Sequence, residues 1–248
     1  RAVGSQQSVT GPLIAMNTML ADSLDWIANK LEAELEKGTD KPAAVVAVLK
    51  ELMAEHGNVI FGGDGYSAEW HKMAVEERGL KNLPTTADAL PWLHDESIKT
   101  LFESTGVLSP VELESRYEVY TEIYIMSIGV EAKLVADMAK TIIYPAAMRY
   151  LSELAETNAS VAGMGIELDI ATAKTIAAES NAMMVAVNKL VAASAKEEFA
   201  STDEHMQYCA GVIRDLMDEV RVHADALEAE IADEQWPLPK YREMLFIK

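Results

Sequence analysis

The sequence predicts a mainly α protein: a long-helix antiparallel bundle with short helices and loops attached to it. Three observations predict this. Helix start and stop residues punctuate the whole chain, strand-like alternation is almost absent, and a seven-residue apolar repeat runs through the last long helical stretch.

In chain order, Gly11-Pro12 opens the first helix, since Pro has no N–H to lose at the first helical position. That helix runs to about Lys37 and Gly38 ends it. Asp40 and Pro42 open a second, which reaches His56 and stops at Gly57. Val59-Ile60-Phe61 reads as a short extended run and Gly62-Gly63-Asp64-Gly65 as a loop. Ser67 is the expected cap of a helix ending at Gly79. Two or three short helical pieces around Pro84 and Pro91 lead to Gly106.

Ser109-Pro110-Val111-Glu112 is a helix start with a capping box, and a long helical region follows to about Glu156, interrupted near Gly129 and kinked near Pro145. Asn158–Gly165 reads as a turn and Ile166–Phe199 as helix throughout. Ser201-Thr202-Asp203-Glu204 is a second capping box, and its helix runs to about Asp233, where Trp236-Pro237-Leu238-Pro239 begins an irregular tail. In that helix Met206, Ile213, Val220 and Leu227 are spaced by heptads, and so are Ala210, Met217, Ala224 and Ile231. The helix before it repeats Ile170, Ala177, Met184 and Val191, and the one before that offers Leu134, Met138, Ile142, Leu151 and Leu154. Three long helices with short connections imply an antiparallel bundle.

Composition narrows the function. A chain of 248 residues buries about 70% of its unfolded surface and needs no disulfides. Its single cysteine, Cys209, excludes a disulfide framework within the chain and a multi-cysteine zinc site, and it fits a reducing compartment. The net charge of −19, from 21 Lys+Arg against 40 Asp+Glu, makes a poor partner for nucleic acid or an anionic membrane surface. The most apolar helix, near Val130–Leu151, carries Glu131, Lys133, Asp137, Lys140 and Arg149, far from the ~20 apolar residues of a membrane span. The first residue is Arg1, not Met, so the chain reads as part of something longer.

Few residues suggest chemistry by themselves. Gly62–Gly65 lacks the GK[ST] ending of a phosphate loop, and Asp64 would repel phosphate. His94-Asp95-Glu96 points in different directions on a helix, which makes Asp95 a cap and Glu96 a first-turn acid rather than metal ligands. His71 reads as a helix-surface or half-buried residue, and His205 and His223 are too far apart along one helix to share an ion. Glu112, Glu114, Glu118 and Glu122 surround Arg116, which can bridge acids within the helix or across an interface. Tyr117, Tyr120 and Tyr124 form an aromatic stripe, and Cys209 reads as a buried thiol.

Several stretches resemble one family. Arg1-Ala2-Val3-Gly4-Ser5-Gln6-Gln7-Ser8, with Gly11-Pro12 and Leu13–Asn17, resembles the segment that closes the catalytic domain of type III glutamine synthetases. Val59–Ser67 followed by Glu69-Trp70 is similar to that family's IFNGDGYS-type stretch. Phe102-Glu103, Gly106–Ser109 and Glu112–Glu118 are similar to its FE-GVLS-ELESRYE signature. Asp137–Lys140 with Pro145-Ala146, and Trp236–Pro239 with Tyr241 and Leu245-Phe246, resemble its closing features.

The resemblance implies the C-terminal portion of a glutamine synthetase-type catalytic subunit. Its reaction would join ammonia to glutamate with ATP and Mg²⁺ (or Mn²⁺), in a cytoplasmic ring oligomer, a dodecamer, serving nitrogen assimilation. It implies that most metal ligands and the ATP site lie upstream of Arg1, with no metal ligand inside this chain. Arg1 is the implied catalytic residue, its guanidinium meeting the substrate carboxylate or the phosphoryl group, and Gly4 and Ser5 shape the same edge for substrate. Residues 1–37 would be the tail end of the catalytic domain, 38–109 a short-helix and loop region, and 110–248 the bundle with its WPLP tail. This chain alone is then inactive. The alternative is a non-catalytic helical scaffold or assembly module.

Overall fold

The computed structural model describes residues 8–245, and among these every regular element is helical. No described helix is long and apolar enough to cross a membrane. The chain divides into two compact units, one ending at Val119 and the other beginning at Tyr120.

In the first unit, α1 (Thr10–Glu36) packs on α2 (Lys41–His56). α1 begins two residues before Pro12, and Gly38 leaves the helix at a φ of 85°, a value that suits a residue without Cβ. Asp40 precedes α2 with extended backbone, and Pro42 occupies its first turn. Lys30 reaches Glu51 at 2.6 Å, and Trp26 meets the His56 ring edge-on at 5.9 Å between centroids. Val59 closes a 3₁₀ turn, Gly57–Val59, so the extended run expected there shrinks to Ile60 and its neighbour.

Ser67 caps α3 (Ala68–Glu76) by accepting the Trp70 N–H. The short pieces around the prolines are α4 (Thr86–Ala89), a 3₁₀ turn Leu90–His94, and α5 (Glu96–Ser104). Asp95 accepts the Ser97 N–H as the cap of α5. Phe102, Leu108 and Leu113 form a small core, with Ile14, Ala15, Leu93 and Ile98 packed against it.

The boundary between the units falls within α6 (Pro110–Met138). Gly129 does not interrupt this helix. The irregularity is a π turn, Ala139–Ile143, just before Pro145, where the Tyr144 N–H reaches back five residues to the Ala139 carbonyl. α7 (Tyr144–Ala162) then continues through Asn158, past the expected stop, and the turn proper is Gly163–Gly165, with Gly165 at a φ of 78°. α8 (Ala171–Ser194) is shorter at both ends than the expected 166–199. The last helical stretch is α9 (Thr202–Tyr208), a π turn Cys209–Ile213, and α10 (Arg214–Glu230). Ser201 accepts the Glu204 N–H, but the Glu204 carboxylate bonds the Ala200 N–H, one residue before the expected partner. A short α11 (Tyr241–Leu245) follows the tail.

α8 packs most extensively on α10, and α7 packs on α8. His223 pairs with Glu179 while Glu219 pairs with Lys189, so residue numbers fall on one helix as they rise on the other, and α8 and α10 are antiparallel. The α10 seam holds: Met206, Ile213, Val220, Leu227 and Ile231 are buried. The π turn adds a residue to one turn, so Cys209 and Ala210 both face inward.

Two expected seams are displaced. On α8 the buried line is Ile176, Ser180, Met183, Val187 and Leu190, whereas Val191 and, just ahead of the helix, Ile170 are exposed. On the α6–α7 stretch the buried residues are mainly small ones, Ala132, Ala136, Ala139, Ala146 and Ala147 with Ile128 and Ile143, and Leu134 faces solvent. Leu151 and Leu154 pack on the core as expected.

Candidate functional site

The three residues expected to touch substrate, Arg1, Gly4 and Ser5, lie outside the described residues. The other motif residues can be followed one by one, starting with the Glu112–Glu118 signature. Ser109 and Glu112 form a reciprocal cap: the Ser109 N–H donates to the Glu112 carboxylate at 2.8 Å, and the Glu112 N–H donates to the Ser109 hydroxyl at 3.3 Å. The Ser109 N–H and hydroxyl hold the Glu112 carboxyl below its ordinary value, with a smaller contribution from Arg116. Leu113 and Tyr117 are buried, and Arg116 is half-buried. Tyr120 and Tyr124 are half-buried in the second unit, so the stripe behaves as packing.

This signature meets a partner that its own spacing does not announce. His94, at the end of the 3₁₀ turn, places Nε2 3.0 Å from the Glu114 carboxylate, in an orientation not aligned for a hydrogen bond. Its ring lies against that of Tyr117, with centroids 4.0 Å apart. His94 thus joins the Glu114 carboxylate and the Tyr117 phenol ring in one cluster of the first unit. Asp95 is not part of it, because its carboxylate is taken by Ser97, whose hydroxyl and N–H hold it below the ordinary value.

The glycine loop is also built around an unforeseen residue. Phe61 and Trp70 stack at 3.8 Å between centroids, and the Arg78 guanidinium lies 5.4 and 5.1 Å from those two rings. Arg78 donates to the Ile60 carbonyl at 2.7 Å and to the Asn58 carbonyl at 3.3 Å. Asp64 accepts the Tyr66 N–H at 2.9 Å, which turns the loop's own donor toward a carboxylate rather than toward a phosphate. Tyr66 stands at the tip, 89% exposed.

In the second unit, Trp236 of the WPLP tail is buried in the bundle core, with Leu238 against it. Gln235 donates to Glu153. Cys209 is buried, and burial pushes its thiol up from the ordinary value. His205 stacks on Phe199 and His223 bonds Glu179 at 2.7 Å, so these two histidines serve different contacts. Among the described residues no group of three or more His, Cys, Asp or Glu could hold a metal ion.

The chain is similar to known proteins. The family described as "Glutamine synthetase C-terminal domain" matches residues 44–162. The whole chain is 34% identical to the "Type-3 glutamine synthetase" of Dictyostelium discoideum over 257 residues, covering 35% of that protein. It is 32% identical to a "Glutamine synthetase" of Bacteroides fragilis (strain YCH46), again over 35% of the relative's length. Against a "Glutamine synthetase" of Butyrivibrio fibrisolvens, identity is 33% over 84% of this chain and 30% of the relative. The chain thus spans about a third of the length of the curated relatives it matches.

Proposed function

We propose that this chain, whose residues 44–162 match the glutamine synthetase C-terminal domain family, is the C-terminal part of a type-3 glutamine synthetase. The observation that carries the reading is the 34% identity to the Dictyostelium discoideum protein along the whole chain. The parent would ligate ammonia to glutamate with ATP and Mg²⁺ or Mn²⁺, in nitrogen assimilation in the cytoplasm. ATP and the metal would be held mostly by residues preceding Arg1 in the parent. Residues 1–37 would close the catalytic domain, 38–109 would link it to the bundle, and 110–248 would support assembly of a ring oligomer.

Arg1 is the residue of this chain to which the reading gives a catalytic role. A guanidinium offers a planar fork of donors with a permanent charge, which suits a carboxylate or a phosphoryl group in transit. Gly4 and Ser5 would shape the same edge. The reading is tested by ATP-dependent glutamine formation in the full-length parent. Arg1→Ala should lower turnover by about 10²–10³-fold, the loss typical of one donor that strengthens in the transition state, while assembly survives. Near-normal turnover would show that the opening segment has another role. The purified 248-residue chain should show no turnover, and clear turnover there would overturn the assignment of the ATP and metal sites to preceding residues.

A further inference from the structure

α6 has two apolar faces, and only one of them is buried. Ile128, Ala132 and Ala136 point into the bundle core. At about 100° per residue, Met126, Val130 and Leu134 lie on the opposite side of the helix. They are 63%, 64% and 54% exposed. Glu122 and Lys133 are exposed along one flank of this stripe, with Gly129 between them, and Ile123 lies half-buried on the other flank with Val130 and Leu134. Neither Glu122 nor Lys133 has an ion-pair partner among the described residues.

We propose that this face is a two-fold interface with a second copy of the chain, α6 lying antiparallel on the partner's α6 and centred near residue 128. In an antiparallel pair each flank meets its own symmetry copy, and a two-fold axis makes every contact occur twice. Centring the pair near residue 128 sets Glu122 beside the second copy's Lys133, and Lys133 beside its Glu122. The same register sets Met126 against Val130 and Ile123 against Leu134, so the charged flank and the apolar flank are both self-complementary. A parallel pair would instead set the charged flank of Glu122 and Lys133 against the second copy's apolar flank of Ile123 and Leu134, leaving the charges unmatched, so the pattern selects the antiparallel arrangement. Gly129 has open space where a Cβ would stand and puts no side chain on the charged flank between Glu122 and Lys133. The stripe from Glu122 to Lys133 is only about 17 Å long, so this contact buries less than the ~1,000 Å² of a stable dimer and associates weakly by itself.

The interface depends on α6 alone and stands or falls separately from the ligase reading. The test is sedimentation velocity of the 248-residue chain over a concentration series into the millimolar range, with circular dichroism as the control for fold. The expected result is a concentration-dependent dimer. Glu122→Lys and Lys133→Glu each weaken it about tenfold, because each sets like charges together at both symmetry-related contacts. The double variant Glu122→Lys/Lys133→Glu restores the wild-type affinity, and Met126→Asp abolishes association while helicity is unchanged. A chain that stays monomeric throughout overturns the proposal, as does a dimer indifferent to the single charge reversals. A double variant no tighter than the single ones would show that the face meets a different surface.

Discussion

The register of α8 makes the sharpest stability prediction, because two adjacent methionines have opposite fates. Met183 is fully buried in the bundle core, whereas Met184 is only half-buried. The pairs Glu179–His223 and Lys189–Glu219 bracket Met183 and set it at the level of Val220 on α10, another buried residue. Truncating Met183 to Ala deletes the end of a side chain that has core atoms all round it and leaves a cavity that rigid neighbouring helices fill only in part. The expected cost is about 2–5 kcal/mol. The same truncation at Met184 removes partly solvated atoms and should cost less than about 1 kcal/mol. For a unit of roughly 130 residues, 1 kcal/mol moves the melting temperature by about 3–5 °C, so Met183→Ala should lower it by about 10 °C and Met184→Ala by a few degrees at most. Thermal and urea unfolding followed by far-UV circular dichroism measure both. An equal or larger effect at Met184 would mean that Ile170, Ala177, Met184 and Val191 face the core after all.

Two further perturbations probe the first unit. A Cβ at Gly63 would stand 2.5 Å from the Phe61 ring, so Gly63→Ala should push Phe61 off Trp70 and shift the tryptophan emission, with helicity retained; an unchanged spectrum would mean the loop reshapes without disturbing the stack. Glu112 and Asp95 have carboxyls held below their ordinary values of 4.5 and 3.8 by contacts from Ser109 and Ser97, so their contribution to stability is present above those values. It is lost as pH falls through the lowered values of the folded state. Melting temperature followed from pH 7 downward should therefore fall in the acid range, and Glu112→Gln with Asp95→Asn should flatten that part of the fall.

Features set by a few neighbouring residues were legible in the sequence. Ser67, Asp95 and Ser109 cap where their side chains predict, because a cap is a contact across two or three residues. The α10 seam was legible because its polar residues leave only one apolar face. α8 is different: alanines lie all round it, so more than one heptad line can be drawn, and the larger residues Met184 and Val191 attract the wrong one. The sequence does hold the correcting signal. Lys174, Asn181 and Asn188 are exposed at heptad spacing, and two residues of rotation put that polar line nearly opposite Ile176, Met183 and Leu190. The same line lies only about 60° from Ala177, Met184 and Val191, too close for that set to face a core.

Contacts between distant residues left no such trace. His94 and Glu114 are 20 positions apart, and Arg78 joins Phe61 and Trp70 from beyond the end of α3, so no spacing rule connects them. What the signature residues have in common is structural work: Glu112 caps, Leu113 and Tyr117 are buried, and Trp236 closes the bundle. The α6–α7 seam carries this further. Its core side is built of alanines, which let neighbouring helices approach closely, while Met126, Val130 and Leu134 remain outside. Large apolar residues on the outer face contribute nothing to the bundle's own packing. Their placement opposite a small-residue core, beside unpaired charges that match their own two-fold copy, is the pattern of a helix that serves one interface inside the chain and another beyond it.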